Sequence, residues 1–118
     1  MTQNKIIRVD KTNPDLDIII QAAGILKAGG LVIFPASCLY GVAANALCAD
    51  AVEKVFQLKQ RPRNNPILVL IKNRDQLNGL VTRIPGKARV LMDRFWPGGV
   101  PLVFDAAGNV TPQLTAGR

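Results

Sequence analysis

The chain has no histidine and only two cysteines, Cys38 and Cys48, so neither a Cys/His zinc site nor a His-based catalytic dyad can be built. A structural disulfide is not expected, because the thiols lie ten apart in a sequence without secretory features. No apolar run reaches the roughly 18 residues that a membrane span requires, and no charged n-region precedes an apolar segment at the N-terminus. A cytoplasmic protein without a membrane partner is the resulting expectation. Acidic residues are few, eight Asp and Glu against fifteen Lys and Arg. Any chemistry must therefore run on cations, hydroxyls and backbone amides.

The 118 residues suffice for one domain, able to bury roughly two-thirds of its unfolded surface. Apolar residues make up 48% and charged residues 19%, a balance that offsets chain entropy and predicts a globular fold. The net charge of +7 favours anions outside the molecule, whether nucleotides, nucleic-acid backbones or acidic lipid surfaces. Charge alone is equally compatible with a basic protein that has no polyanionic partner.

Lys5 to Val9 is a short β-prone run. Asn13-Pro14-Asp15 supplies an N-cap, a proline at the first helical position and early acids, and Leu16, Ile19, Ile20, Ala23 and Leu26 recur at helical spacing until Gly29-Gly30 stops them. One face of this helix is expected on a sheet. Leu31 to Phe34 is continuously apolar and too short for a helix, which predicts a strand covered on both faces and closed by Pro35. Ala36 to Ala46 is rich in small residues, so its backbone can approach a ligand or pack tightly against another segment. Asp50 and Glu53 have capping-box spacing, and a helix runs from there to about Leu58.

Lys59, Arg61 and Arg63 occupy alternate positions, and Pro62 favours an extended backbone before it, so the three cations are expected on one side. They make either an anion-binding wall or a solvated face. Ile67 to Ile71 reads as a second buried strand, Asp75 to Leu80 as a short helix, and Pro85 to Phe95 as a longer one with Ala88, Leu91, Met92 and Phe95 on its apolar face. Trp96-Pro97-Gly98-Gly99 ends that helix, Val100 to Phe104 is a third apolar strand, and Val110 to Arg118 an unfinished segment. Strands alternating with helices predict an α/β fold, a twisted mixed sheet with substantial parallel pairing and helices packed on it. Cys38 reads as a small thiol and Trp96 as a packing residue.

Four blocks in matching order and spacing, Gly29-Gly30-Leu31-Val32-Ile33-Phe34-Pro35, Tyr40-Gly41-Val42, Phe56-x-Leu58-Lys59-x-Arg61-Pro62-x-x-Asn65-Pro66-Ile67 and Phe95-Trp96-Pro97-Gly98, resemble the YrdC-like domain. The resemblance runs from about Asp15 to Thr115 and implies a single YrdC-like domain over residues 1–118, its C-terminal part missing. Enzymes of that family are threonylcarbamoyl-AMP synthases. They join L-threonine, bicarbonate and ATP, release pyrophosphate, and serve threonylcarbamoyladenosine modification of tRNA; the domain is also described as binding double-stranded RNA.

By this resemblance Lys59 and Arg61 are the catalytic pair, holding phosphate and carboxylate groups through charge-assisted bonds of about 1.5–3 kcal/mol each. Ser37, Tyr40 and Asn65 join them as substrate- and nucleotide-binding residues. For Tyr40 and Asn65 the plain alternatives of a half-buried ring and a turn-former stand beside that role. ATP is the implied co-substrate, accompanied by Mg2+, with no metal held by the protein. Arg63, Lys72 and Arg74 are the candidate contacts for tRNA or double-stranded RNA, the partners of a non-catalytic alternative. A homodimer remains open. The family usually carries Thr where this chain has Ala36, an acid and Thr where it has Ser37 and Cys38, His where it has Leu70, and Pro-Leu-Thr where it has Gly99-Val100-Pro101. These changes fall in the pocket, and the chain alone is expected to be inactive.

Overall fold

A computed structural model describes residues 6–36 and 39–117. They divide into two compact units, residues 1–55 and 56–118. The order of elements is α1 (Leu16–Lys27), β1 (Val32–Pro35), β2 (Tyr40–Ala43), α2 (Ala49–Lys59), α3 (Arg74–Leu77), α4 (Gly86–Phe95) and α5 (Pro112–Thr115).

In the first unit, α1 is capped by Asp15, whose carboxylate accepts from the Asp17 amide at 2.9 Å, rather than by Asn13. The reason lies upstream. Asp10 already holds the backbone amides of Thr12 and Asn13, so the chain before Asp15 forms its own turn. At the far end Gly29 is left-handed, with φ 87°, and the Gly30 amide reaches the Ile25 carbonyl at 2.9 Å in a Schellman closure. The helix lies against β1, yet no residue of it is fully buried, and Leu16, Ile19 and Ile20 face solvent.

β1 and β2 pair antiparallel in the register Val32↔Ala43, Ile33↔Val42, Phe34↔Gly41 and Pro35↔Tyr40. The Ala36 amide closes the connection on the Leu39 carbonyl at 2.9 Å. Two expectations change here. β1 is not covered on both faces, since Ile33 is 64% exposed, and the segment read as a ligand loop supplies a strand. Gly41 tolerates that role because the Phe34 ring lies over it, close enough that an added Cβ would sit 3.0 Å from the ring.

The α2 helix begins one residue before Asp50. Val52 donates to the Cys48 carbonyl, and Asn45 holds the Leu47 amide in the preceding turn. Asp50 therefore falls inside the first turn, where the helix N-terminus favours a carboxylate. Ala51, Val52 and Val55 form the buried core of this unit.

In the second unit the buried side chains are Phe56, Leu77, Met92 and Leu114, one from each of α2, α3, α4 and α5. Asn73 caps α3 through its side-chain oxygen, and Pro85 precedes α4. Only Met92 of the expected α4 face is buried; Leu91 and Phe95 are exposed. An antiparallel bridge, Val81↔Ala106, flanked by bonds from Thr82 to Asp105 and from Ala107 to Leu80, ties residues 80–82 to 105–107.

The strands expected at 67–71 and 100–104 are not formed, and Ile6 to Val9 is likewise irregular. Lys5 lies outside the described residues. Among the described residues every paired segment is antiparallel, so the expected parallel pairing is absent. An apolar run specifies an extended backbone, but a strand also needs a neighbour to receive its amides, and in these runs only the Ile67 amide finds a backbone acceptor among the described residues, the Leu114 carbonyl.

Candidate functional site

The feature that positions the candidate cations is the way α2 ends. Gln60 is left-handed with φ 49°, the Gln60 amide donates to the Gln57 carbonyl at 3.4 Å, and the Arg61 amide donates to the Phe56 carbonyl at 3.1 Å. This is a complete Schellman closure with glutamine in the place that usually takes glycine. It leaves Lys59 as the last helical residue and turns Arg61 back towards the unit. The expected extended run from Lys59 to Arg63 is therefore corrected: a helical residue, a left-handed residue and a turn replace it, and the three cations do not share one side as a strand would present them.

Each cation then meets a different environment. Lys59 is exposed, its ammonium without a hydrogen bond or ion pair among the described residues, at a helix C-terminus that favours positive charge. Arg61 is half-buried; its Nη2 donates to the Pro66 carbonyl at 2.7 Å, and its Nε is buried with no partner among the described residues. That clasp closes residues 61–66 into a compact loop, and the Asn65 amide tightens it by donating to the Pro62 carbonyl at 3.1 Å. A dry, unpaired guanidinium N–H costs about 1–3 kcal/mol until an acceptor arrives. An anionic oxygen is an acceptor of the matching charge.

Arg63 stands over the Phe56 ring, 4.9 Å from its centre, so it caps the buried end of α2. Arg74 is ion-paired with Asp93, whereas Lys72 is exposed. Of the three expected nucleic-acid contacts, two are thus engaged within the fold. Tyr40 belongs to the first unit, where it opens β2 and is 75% exposed. Ser37 and Cys38 lie outside the described residues.

Two participants were not evident from the sequence. Phe56 reads as an ordinary core residue, and only its (i, i+7) spacing to Arg63 hints at the ring contact. Lys54 reads as a surface cation, but its Nζ donates to the Gly29 carbonyl at 3.0 Å and braces the turn that enters β1. No sequence signal marks that bond, because its partner is a backbone oxygen 25 residues away.

Charge separates along the chain. Residues 56–118 hold ten Lys and Arg against Asp75, Asp93 and Asp105, while residues 1–55 hold five of each sign. All of the net +7 therefore resides in the unit that carries Lys59 and Arg61.

Residues 24–118 match the family model Sua5_yciO_yrdC, described as telomere recombination. The chain is 42% identical over 100 residues to a threonylcarbamoyl-AMP synthase of Bacillus subtilis, covering 84% of this chain and 29% of that protein. It is 42% identical over 96 residues to one of Pyrococcus abyssi, covering 81% of this chain and 28% of that protein. Among solved structures, P. abyssi Sua5 complexed with L-threonine superposes with a TM-score of 0.85 at 39% identity, over 90% of this chain and 31% of that one. The chain thus spans about 30% of the length of these relatives.

Proposed function

The chain belongs to the Sua5/YciO/YrdC family, and from that premise we propose that it is the anion-holding part of a threonylcarbamoyl-AMP synthase. The reaction would join L-threonine, bicarbonate and ATP, the ATP entering as its Mg2+ complex, and release pyrophosphate in cytoplasmic tRNA modification. The carrying observation is the closed loop 61–66, with Arg61 fixed at one end by Pro66 and its Nε left without an acceptor.

The chemistry needs that arrangement. Threonine's nitrogen bonds to the carbon of bicarbonate with loss of one oxygen as water, and the resulting carbamate oxygen attacks the α-phosphorus as the bond to pyrophosphate breaks and pyrophosphate leaves. Carbamate and triphosphate repel each other, so fixed cations that neutralise both favour their approach and the charge that builds during attack. Arg61 would supply a preorganised donor and Lys59 a mobile one. Tyr40, Ser37 and Asn65 would shape the threonine and nucleotide sites.

Titration of the 118-residue chain with MgATP and with L-threonine tests the proposal. We expect Lys59→Ala and Arg61→Ala each to weaken ATP binding at least tenfold, in line with about 1.5–3 kcal/mol for a charge-assisted bond. Pyrophosphate release by this chain alone is expected to be absent. ATP affinity unchanged in both variants would overturn the assignment.

The charge separation favours a second reading, binding of tRNA or double-stranded RNA by residues 56–118. Lys72 is the exposed candidate, with Arg63 and Arg74 partly engaged elsewhere. Such binding should fall with salt, the log–log slope changing by about one for each phosphate contact removed. Affinity that is indifferent to salt, or to Lys72→Ala, argues against it. No helix among the described residues is long and apolar enough to cross a membrane.

A further inference from the structure

Asn78-Gly79 is the only place in the sequence where glycine follows asparagine. Glycine leaves its own amide nitrogen unshielded, so that nitrogen can attack the neighbouring side-chain amide. In the folded chain the geometry closes this path. Asn78 ends α3 in helical conformation, with φ -59° and ψ -29°. The five-membered ring that the attack forms needs the Gly79 nitrogen on the same side of the Cα–C bond as Cβ, about a quarter-turn of ψ away. That rotation breaks bonds on both sides of Gly79. Its amide donates to the Gln76 carbonyl at 3.2 Å, and its carbonyl accepts from Asn109 Nδ2 at 2.9 Å. The next two amides, of Leu80 and Val81, are both spent on the Leu77 carbonyl.

We propose that Asn78 is a self-modification site, deamidated through a cyclic imide, and that the Asn109 side chain is the latch that holds the reaction off. The Gly79 nitrogen bonds to Asn78 Cγ and gives up its proton as the bond from Cγ to Nδ2 breaks, and ammonia leaves. Water then opens the imide at either carbonyl, which yields aspartate or its isoaspartyl isomer. One water is consumed, one ammonia is released, and nothing is oxidised or reduced.

Opening of the latch sets the rate. Asn109 reaches Gly79 from the turn after residue 106, where the Ala107 amide holds the Leu80 carbonyl at 2.8 Å beside the Val81↔Ala106 bridge. Every bond in this gate joins residues of the second unit. The product adds one negative charge to the unit that carries the whole net +7. Isoaspartate also inserts a methylene into the backbone just before Gly79, which displaces the carbonyl that the latch holds.

The test incubates the intact 118-residue chain in mildly alkaline buffer beside a synthetic peptide of residues 75–81. Mass spectrometry follows Asn78, with fragmentation that separates aspartate from isoaspartate. The folded chain should deamidate there at least about tenfold more slowly than the peptide. Asn109→Ala should speed the folded chain by about two- to tenfold, the extra opening expected when one hydrogen bond is lost, and leave the rate in concentrated urea unchanged. Gly79→Ala should suppress the reaction in both conditions. An added Cβ there meets only the Gln76 carbonyl oxygen at 3.8 Å, an ordinary contact, so this variant keeps the fold. A folded chain that reacts as fast as the peptide, or an Asn109→Ala rate equal to the parent's, would overturn the proposal. So would an Asn109→Ala chain whose α4 amides also lose hydrogen-exchange protection, which would mark unfolding of the unit rather than release of a latch.

Discussion

The two units hold themselves together by different means. Residues 1–55 balance their charges and join β1 to β2 by a regular ladder, with the Lys54 side chain bracing the turn before it. Residues 56–118 carry the whole net charge and rely on isolated clasps: Arg61 to Pro66, Ile67 to Leu114, Asn109 to Gly79, and the single bridge Val81↔Ala106. A ladder distributes its energy over neighbouring bonds, whereas a clasp can be released one bond at a time. The unit suited to meeting anions is thus also the one whose loops are each held by few bonds.

The largest expected effect breaks the second unit at its core. Phe56 is 2% exposed and also supports Arg63, so Phe56→Ala should destabilise the unit by about 3–5 kcal/mol, read as a lower urea midpoint for probes in residues 56–118. Equal loss in a β1–β2 probe would show that the two units unfold as one.

A smaller effect sharpens the comparison. Gln60 is left-handed without being glycine, so Gln60→Gly should stabilise by about 0.5–1 kcal/mol if the Schellman closure is kept. Equilibrium unfolding measures it, and a loss of stability would mean that the glutamine side chain contributes more than its backbone strain removes.

The smallest effect lies in the balanced unit. Asp10 accepts from the Thr12 amide, the Thr12 hydroxyl and the Asn13 amide, and these bonds hold its carboxyl below the usual 3.8. Its contribution is present above that unfolded value and is lost as pH falls through the lower folded value. The carboxyl carbon should titrate lower in the folded chain than in urea, and Asp10→Ala should leave stability near neutrality only slightly changed. An Asp10 titration that coincides in both states would contradict the bonding.

The helices were legible in the sequence because their signals are local. Asn13-Pro14-Asp15, Gly29-Gly30 and Pro85 each act within one turn, so the boundaries of α1 and α4 came within a few residues of the observed ones, whereas the Asn73 cap of α3 was not read and α5 fell in a segment read as unfinished. Strands were less legible because a strand is a relation between segments. Ile67–Ile71 and Val100–Phe104 have strand composition without partners, while Tyr40–Ala43 has loop composition and a partner. The candidate site shows the same division. Residue types and the Lys-x-Arg spacing could be read directly, but their directions depended on one left-handed residue, Gln60, that no pattern marks.

Phe34 and Gly41 sit opposite each other across the β1–β2 ladder, and the ring already occupies the volume that any side chain at position 41 would need. Substitutions at the two positions are therefore order-dependent. A larger residue at 41 introduced first must push the ring aside by a few tenths of an ångström, whereas the same residue introduced after Phe34 has been shortened no longer meets the ring. Phe34 thus acts as a ratchet on the history of the hairpin: paths that trim the ring before enlarging position 41 stay open, and paths that reverse the order must pass through a strained intermediate.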